Sequence, residues 1–330
     1  MTIKEVAGLA GVSPAAVSRY LNGGSLSEEK RARIRKAIEE TGYRPNPMAQ
    51  TMRTGRINQV GVIVPRLHSE SVSQITAGAA RKLFEQGYMT LLGCTDHDLE
   101  KEKTYLRMMK DSQAAGIILM GTVFTPQLAD LIRDSGVPVV ITGQNFEGIP
   151  CVFHDDFHAV RDLTRLLLAR GRRRIGMIGA PEQDIAVGLN RRRGAEQALL
   201  DAGIGAASMP YEVSTFDAKG GRDAMKRLLE SCPEIDGVVC ATDTMAMGAL
   251  SELREAGKDV PGDISIVGVG DDWIDTVSTP SLTTAHLFYR QCGEEAAHLL
   301  LELVRCKGDI RQMESTQVRL PYLIVERGSV

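Results

Sequence analysis

Apolar residues near the start of the chain recur at intervals of three and four, which is the spacing of amphipathic helices. The pattern predicts three short helices, each preceded by a residue suited to cap its first turn: Thr2, Ser13 and Ser27. Gly11 supplies a tight turn between the first two helices, and Gly42 ends the third. Two short helices joined in this way form a helix-turn-helix, whose second helix can enter the major groove of DNA.

The second helix, which starts at Ser13, is expected to present a set of small side chains and one arginine outward. Arginine can bind guanine through two hydrogen bonds, whereas alanine contacts thymine methyl groups. Serine hydroxyls and backbone N–H groups reach phosphates. The predicted DNA-contacting residues of this head are Thr2, Ser13, Pro14, Ala15, Ala16, Ser18, Arg19 and Asn22.

From Gln59 onward, short apolar runs alternate with longer helical stretches, which indicates buried parallel strands joined by helices. About 270 residues of such alternation exceed one sheet of this kind, and the runs fall into two groups. The expected body is therefore a pair of doubly wound parallel-sheet lobes with a ligand cleft at the carboxyl ends of the strands. The runs read as strands lie at 60–65, 89–93, 116–121, 137–141, 174–179, 237–241 and 264–268.

Charge is distributed unevenly along the 330 residues, whose net formal charge is −3. Residues 1–56 hold ten Lys and Arg against five Glu, a charge of +5, so the remainder carries −8. A basic head on an acidic body favours a polyanionic partner for the head. With neither a membrane span nor a signal-peptide pattern in view, we expect a cytoplasmic protein that does not enter a membrane.

The sequence contains none of the residue spacings that are typical of metal, redox or cofactor sites. The six cysteines form no C-x-x-C pair, and the histidines lack metal-ligand spacing. Gly268-Val269-Gly270 is not a full dinucleotide fingerprint, and no phosphate-binding Walker A segment occurs. The acid pairs 155–156 and 271–272 are accompanied by no nucleophile motif. We expect no cofactor, no metal and no enzymatic activity.

Several head motifs together resemble the LacI/GalR family of bacterial transcription regulators: TIKEVA at 2–7, AGVS at 10–13, VSR at 17–19, LNG at 21–23, GYRPN at 42–46 and RTGR at 53–56. The resemblance extends over the whole chain. It implies a helix-turn-helix domain at 1–46, a hinge helix or linker at 47–57, and a periplasmic-binding-protein-like effector and dimerisation domain at 58–330. Lobe one would span about 58–157 and 285–317, and lobe two about 158–284 and 318–330.

The same resemblance assigns roles in DNA binding. Pro14, Ala15 and Arg19 lie at the family's base-reading positions, so direct readout should depend mainly on Arg19, with DNA shape contributing the rest. In family members a hinge helix forms on the operator and inserts a leucine into the minor groove. The matching position is Met52, which is apolar and can still act as a wedge.

Positions that match the family's sugar-contacting pattern are Asp156, Arg191, Phe216, Thr242 and Asp243, although Phe216 could also be a core residue. The family's usual ligand-binding aspartate falls on Gly270, which leaves Asp271 as the nearest acid. The segment PRLHSES at 65–71 is similar to one in trehalose repressors, where an arginine assists a phosphate. Arg66 would do so here, with Ser69 and Ser71 nearby. Gln144 stands where a second phosphate-binding arginine would be expected.

The function implied is that of a homodimeric transcription regulator, most simply a repressor of carbohydrate-use genes, that binds double-stranded operator DNA. A sugar or sugar phosphate, such as a disaccharide, would control it from the cleft between the lobes. One alternative is the same regulator with a non-sugar effector. Two others are a sugar-binding transport component and a sugar-modifying enzyme, neither of which accounts for the head.

Overall fold

The computed structural model describes residues 2–21, 24–43, 58–205, 209–306 and 316–330. The chain divides into two compact units, Met1–Ile57 and Asn58–Val330. The first unit contains the helices α1 (Ile3–Leu9), α2 (Pro14–Leu21) and α3 (Glu28–Thr41), which confirm the helix-turn-helix head.

The ends of the head helices form for local reasons. The Thr2 Oγ1 atom accepts the Glu5 N–H at 3.4 Å, and Glu5 Oε2 accepts the Thr2 N–H at 2.7 Å, so α1 begins with a capping box. Gly42 ends α3 with a φ of 60°, which favours glycine. Val6, Val17 and Ile34, one from each helix, are completely buried and hold the three together.

Lobe one of the second unit contains β1 (Gln59–Val64), β2 (Met89–Cys94), β3 (Gly116–Leu119), β4 (Val139–Thr142), β5 (Cys151–His154) and β11 (Gln317–Leu320). Its helices are α4 (Glu70–Glu85), α5 (Leu99–Asp111), α6 (Pro126–Arg133) and α12 (Tyr289–Arg305). The strands pair in parallel in the order β11-β5-β4-β3-β1-β2. The central strands β3 and β4 are buried throughout, which explains their unbroken apolar runs.

Lobe two contains β6 (Ile175–Gly179), β7 (Tyr211–Val213), β8 (Gly237–Cys240), β9 (Ser265–Gly270), β10 (Thr283–Leu287) and β12 (Tyr322–Val325). Its helices are α7 (Asp156–Ala169), a π-helix (Ile185–Asn190), α8 (Arg191–Asp201), α9 (Ala218–Ser231), α10 (Asp243–Glu255) and α11 (Trp273–Val277). The strand order is β12-β10-β9-β8-β6-β7, and β12 is antiparallel to β10. Both predicted doubly wound lobes are therefore present, and the second carries one antiparallel edge strand.

Two of the expected lobe boundaries lie three residues away from the observed ones. Residues 285–287 belong to lobe two, because they pair with β9 and β12. Residues 318–320 belong to lobe one, because they pair with β5. The described chain passes between the lobes after β5, after β10 and between β11 and β12. An apolar run shows that a strand exists, but its hydrogen-bond partner decides which sheet it joins.

Candidate functional site

The exposed start of α2 is the candidate DNA-reading surface of the head. Ser13, Pro14, Ala15 and Arg19 are exposed, as expected, and Ser13 Oγ accepts the N–H of Ala16 at 3.3 Å. Ser18 is half-buried, and Thr2 caps α1 with its side chain. Exposed basic residues elsewhere on the head are Lys4, Lys30, Arg33, Arg35 and Lys36.

The prediction that Ala16 faces outward is wrong. Ala16 is 6% exposed and packs in the head's core with Val6, Val17 and Ile34. Ala16 and Val17 are the two buried residues of α2, so the alanine forms part of its inner face. Asn22, Met52 and the predicted hinge at 47–57 lie outside the described residues.

The candidate ligand site of the body lies between the lobes, at the carboxyl ends of β1, β4, β5, β8 and β9. Three adjoining cavities occupy this cleft, with volumes of ≈ 50, ≈ 110 and ≈ 540 Å³. The residues predicted to contact an effector line these cavities, with one exception. They are Arg66, Ser69, Ser71, Gln144, Asp156, Arg191, Phe216, Thr242 and Asp243.

The inner end of the cleft is built on a buried ion pair. Asp156, the first residue of α7, accepts a hydrogen bond at 2.7 Å from Nε of Arg191, the first residue of α8, and Nη2 of Arg191 lies 2.7 Å from the same oxygen, Oδ1. Arg191 also donates through Nη1 to the carbonyl oxygen of Ala241, which follows β8. The pair is nearly inaccessible, so it is held in low dielectric, and its members depend on each other for compensation.

Three polar atoms near this pair are buried without a hydrogen-bond partner among the described residues: Thr142 Oγ1, Gln144 Oε1 and His154 Nε2. Gln144 is held through its amide nitrogen, which donates to the carbonyl oxygens of Gly121 at 3.0 Å and Thr122 at 2.6 Å. Burial lowers the pKa of His154 to about 4, so its ring is neutral at pH 7. A buried polar atom without a partner is costly, and a ligand hydroxyl can satisfy it.

The wall from lobe two presents an acid that is already bonded to the protein. Thr242 Oγ1 caps α10 by accepting the N–H of Met245 at 3.2 Å. Asp243 Oδ1 accepts the hydroxyl of Thr284 at 2.6 Å. Thr242 therefore fixes the start of the helix that carries Asp243 into the cleft.

The mouth of the cleft brings cationic and aromatic groups of the two lobes together. The Arg66 guanidinium carbon lies 4.4 Å from the centroid of the Phe216 ring, and Arg66 Nη1 donates to the Phe216 carbonyl oxygen at 3.4 Å. The His97 ring stacks on Phe216 with centroids 6.0 Å apart. Asp96 and His97 both have positive φ angles, 53° and 60°, so this loop is held in a strained conformation.

Asp271 is the exception among the predicted effector residues, because it does not line the cavities. Its carboxylate accepts from Arg327 Nη2 and lies 2.9 Å from His286 Nδ1. Gly270 and Asp272 line the cleft instead. Asp271 has a φ of 60°, and this turn of the backbone directs its side chain toward the C-terminal segment.

Sequence reasoning missed several cleft residues, namely Thr142, His154, Asp184, Asp272 and Tyr289. Most of them follow or end a strand, which is the one signal that could have identified them. Burial raises the pKa of Asp184 to about 6, while its Oδ1 accepts the N–H of Val187 at 3.0 Å. Within the described ranges, no group of His, Cys, Asp and Glu is suited to hold a metal ion, and no helix is long and apolar enough to span a bilayer.

A helix-turn-helix head joined to a two-lobed body with a polar cleft defines a ligand-responsive transcription regulator. Residues 2–46 match the bacterial regulatory proteins of the lacI family, and residues 164–330 match the periplasmic binding protein-like domain. The chain belongs to the lacI family, whose members are DNA-binding regulators and not enzymes.

Individual relatives cover nearly the whole chain. The sucrose operon repressor of Staphylococcus xylosus is 32% identical over 305 residues, which are 92% of this chain and 93% of that protein. A solved complex of the transcriptional regulator CelR with cellobiose is 27% identical, with a TM-score of 0.77 and full coverage of both chains. The Lac repressor dimer bound to operator and the anti-inducer ONPF shares the fold, with a TM-score of 0.90 at 24% identity over 100% and 98% of the two chains.

Proposed function

We propose that this protein is a homodimeric repressor of carbohydrate-use genes that binds operator DNA in the cytoplasm and is controlled by a sugar or sugar phosphate in the interlobe cleft. The observation that carries the proposal is the set of buried, unpartnered polar atoms at Thr142, Gln144 and His154 beside the Asp156–Arg191 pair. Neutral donors and acceptors flanked by a compensated ion pair suit the hydroxyl groups of an uncharged ring.

The printed names of its relatives support the same class of effector. One relative is a sucrose operon repressor, and one related solved structure holds cellobiose. Both names point to disaccharides. The ≈ 540 Å³ outer cavity, lined by Phe216 and His97, offers room beyond the polar inner end for a second ring that packs on an aromatic face.

Arg66 supports the finer proposal that the effector is phosphorylated. Its Nε atom is buried and has no hydrogen-bond partner among the described residues, and burial lowers the pKa of its guanidinium without neutralising it. A phosphate oxygen at the mouth would satisfy that N–H with a charge-assisted bond. This is the role that the similarity of residues 65–71 to trehalose repressors implies.

The edge of lobe one supports assembly into a homodimer. The edge strand β2 exposes Met89, Leu91 and Leu92, and the neighbouring end of α4 exposes Phe84. An exposed apolar edge strand is an aggregation liability unless a partner covers it. A second copy on this face would give a dimer with two heads, one for each half of a near-palindromic operator.

The effector class is tested by a thermal-shift screen of the full chain against monosaccharides, disaccharides and their phosphates, with nucleosides and amino acids as rival classes. We expect a disaccharide or its phosphate to raise the melting temperature and to change the anisotropy of labelled operator DNA in the same concentration range. A shift by a nucleoside or an amino acid alone would refute the sugar assignment and favour the non-sugar alternative.

A further inference from the structure

Two carboxyl groups lie buried beside each other in the cleft wall of lobe two. Asp243 is 3% exposed, and Asp275 in α11 is fully buried. The backbone N–H of Asp272 serves both, with its nitrogen 3.3 Å from Asp243 Oδ2 and 2.8 Å from Asp275 Oδ2. Two carboxyl groups that accept from one N–H are close neighbours, so two full negative charges here would repel strongly.

The remaining oxygens differ in what they bind. Asp243 Oδ1 accepts the Thr284 hydroxyl at 2.6 Å, so both oxygens of Asp243 face hydrogen-bond donors. Asp275 Oδ1 is buried and faces no donor among the described residues. A buried carboxyl oxygen that receives no hydrogen bond is the favoured place for a proton, since a neutral acid becomes a donor itself.

We propose that Asp275 is a positioning residue that carries a proton at neutral pH and donates it in a hydrogen bond to Asp243. Asp243 is then the single anion of the pair and is held rigidly where it meets the cleft ligand. The role of Asp275 in positioning Asp243 for the ligand rests on the proposed function. The proton shared between the two carboxyl groups does not.

The backbone around Asp243 is shaped for a carboxylate in this one position. A Cβ atom at Gly268 would lie 2.2 Å from Asp243 Oδ1, and one at Gly270 would lie 2.5 Å from Oδ2. Both glycines are therefore required for the observed placement. A Cβ atom at position 270, where the family pattern has an aspartate, would meet the Asp243 carboxylate in its observed place.

The charged groups around Asp243 and Asp275 do not offset a second negative charge on this pair. Burial, together with the neighbouring Asp243, raises the pKa of Asp275 to about 9. Arg327 acts in the opposite direction, but its guanidinium is bonded to Asp271. The titratable groups that face the pair or its immediate neighbours from the surrounding elements are Cys240, Asp271, Asp272, His286, Tyr289, Arg327 and, from lobe one, Glu70.

The shared proton is tested without any ligand by infrared spectroscopy of the full chain at pH 8.5. We expect the carbonyl-stretch band of a protonated carboxyl group, which disappears as the pH rises through about 9 and is missing in Asp275→Asn. Glu102→Gln, which removes a buried carboxyl group of lower pKa, should leave the band unchanged. Absence of the band from the wild type, or its full persistence in Asp275→Asn, overturns the proposal.

The positioning role is tested by titrating wild type and Asp275→Asn with cellobiose and with sucrose between pH 7 and pH 10. The asparagine amide still donates to Asp243, so the affinity of Asp275→Asn for the sugars at pH 7 should remain within about threefold of the wild type. Asp275→Ala has no such donor, and its affinity should fall about tenfold or more. Wild-type affinity should fall about tenfold between pH 8 and pH 10, and Asp275→Asn should show no such fall. Equal losses in both variants contradict positioning. Binding of neither sugar, with the infrared band present, counts against the proposed function and not against the shared proton.

Discussion

The guanidinium of Arg66 lies 4.4 Å above the ring of Phe216, although Arg66 follows the first strand of lobe one and Phe216 belongs to lobe two. A cation–π contact that is largely desolvated contributes about 2 kcal/mol. Because it spans the cleft, this contact joins the two lobes and places the arginine at the mouth of the proposed effector site.

Replacing Arg66 should therefore separate two classes of ligand. Arg66→Ala is expected to weaken the binding of a phosphorylated sugar about 10- to 100-fold, because a charge-assisted hydrogen bond is lost. The binding of the neutral sugar should be weakened by less. Calorimetric titration of both ligands into wild type and variant provides the measurement. Equal losses of affinity for the two ligands would exclude a phosphate contact and leave Arg66 only its cation–π contact with Phe216.

Thr142→Val should have opposite effects on stability and on ligand binding. The Thr142 hydroxyl is buried without a hydrogen-bond partner in the described part of the chain, so replacing it by an isosteric methyl group should stabilise the unliganded protein by about 1 kcal/mol. The same change removes a group that a sugar hydroxyl would bind, so the ligand-induced rise in melting temperature should shrink. Thr164→Val is the matched control, because Thr164 is buried outside the cleft cavities and its hydroxyl donates to the Val160 carbonyl oxygen at 2.8 Å, so this change should bring no gain in stability and leave the ligand response unaltered. A ligand response unaltered by Thr142→Val would place the sugar elsewhere.

Arg191→Met should be strongly destabilising, because it leaves the buried carboxylate of Asp156 without compensation. The expected loss in the free energy of unfolding is about 3–5 kcal/mol, measured by urea denaturation. The exposed ion pair between Arg227 and Glu212 offers a control, and Arg227→Met should cost less than about 1 kcal/mol. Similar losses in the two variants would show that the inner pair is accessible to water.

Glu102 predicts a specific dependence of stability on pH. It is 4% exposed, and its Oε1 has no hydrogen-bond partner within the ranges that the structure describes. Burial raises the pKa of this glutamate to about 7 from an unfolded value of 4.5. The folded protein therefore holds a proton that the unfolded chain releases, and stability is lost as the pH rises from about 4.5 through 7.

Glu102→Gln should accordingly match the wild type near pH 4 and exceed its unfolding free energy by about 3 kcal/mol at pH 8. Urea denaturation at the two pH values measures the difference. Glu100→Gln, on the exposed face of the same helix, should change little at either pH. A constant offset between Glu102→Gln and the wild type at both pH values would contradict the buried titration.

Replacing Arg19 should reduce the preference of the head for operator DNA more than its overall affinity for DNA. Arg19→Ala should reduce the preference for an operator selected from random DNA over unrelated DNA by about 1–3 kcal/mol. Lys36→Ala, on α3, removes an exposed charge and should affect both DNAs alike. Anisotropy titrations at fixed salt measure both ratios. Unchanged discrimination in Arg19→Ala would remove this residue from base readout.

Much of the architecture is readable from the residues themselves. The helix caps at Thr2 and Gly42 and the apolar runs of the buried strands are local signals, and local signals survive in a linear sequence. The apolar runs taken as strands did not include β5, β7, β10, β11 and β12. The three residues of β7, for example, are at most half-buried and form no apolar run. The burial of Ala16 was also not predicted, because alanine occurs on both buried and exposed helix faces and the packing of neighbouring helices determines which face it occupies.

The two-part organisation, the helix-turn-helix and the paired lobes could thus be predicted from the residues, together with nine of the residues that line the cleft. How the polar residues of the cleft are used became clear only from the folded chain. It turned Asp271 away to Arg327 and His286, placed Phe216 against Arg66, and brought Asp243 and Asp275 to one backbone N–H. The physical reason is that hydrogen-bond partners and burial depend on contacts between segments far apart in the chain, whereas capping and periodicity depend on near neighbours.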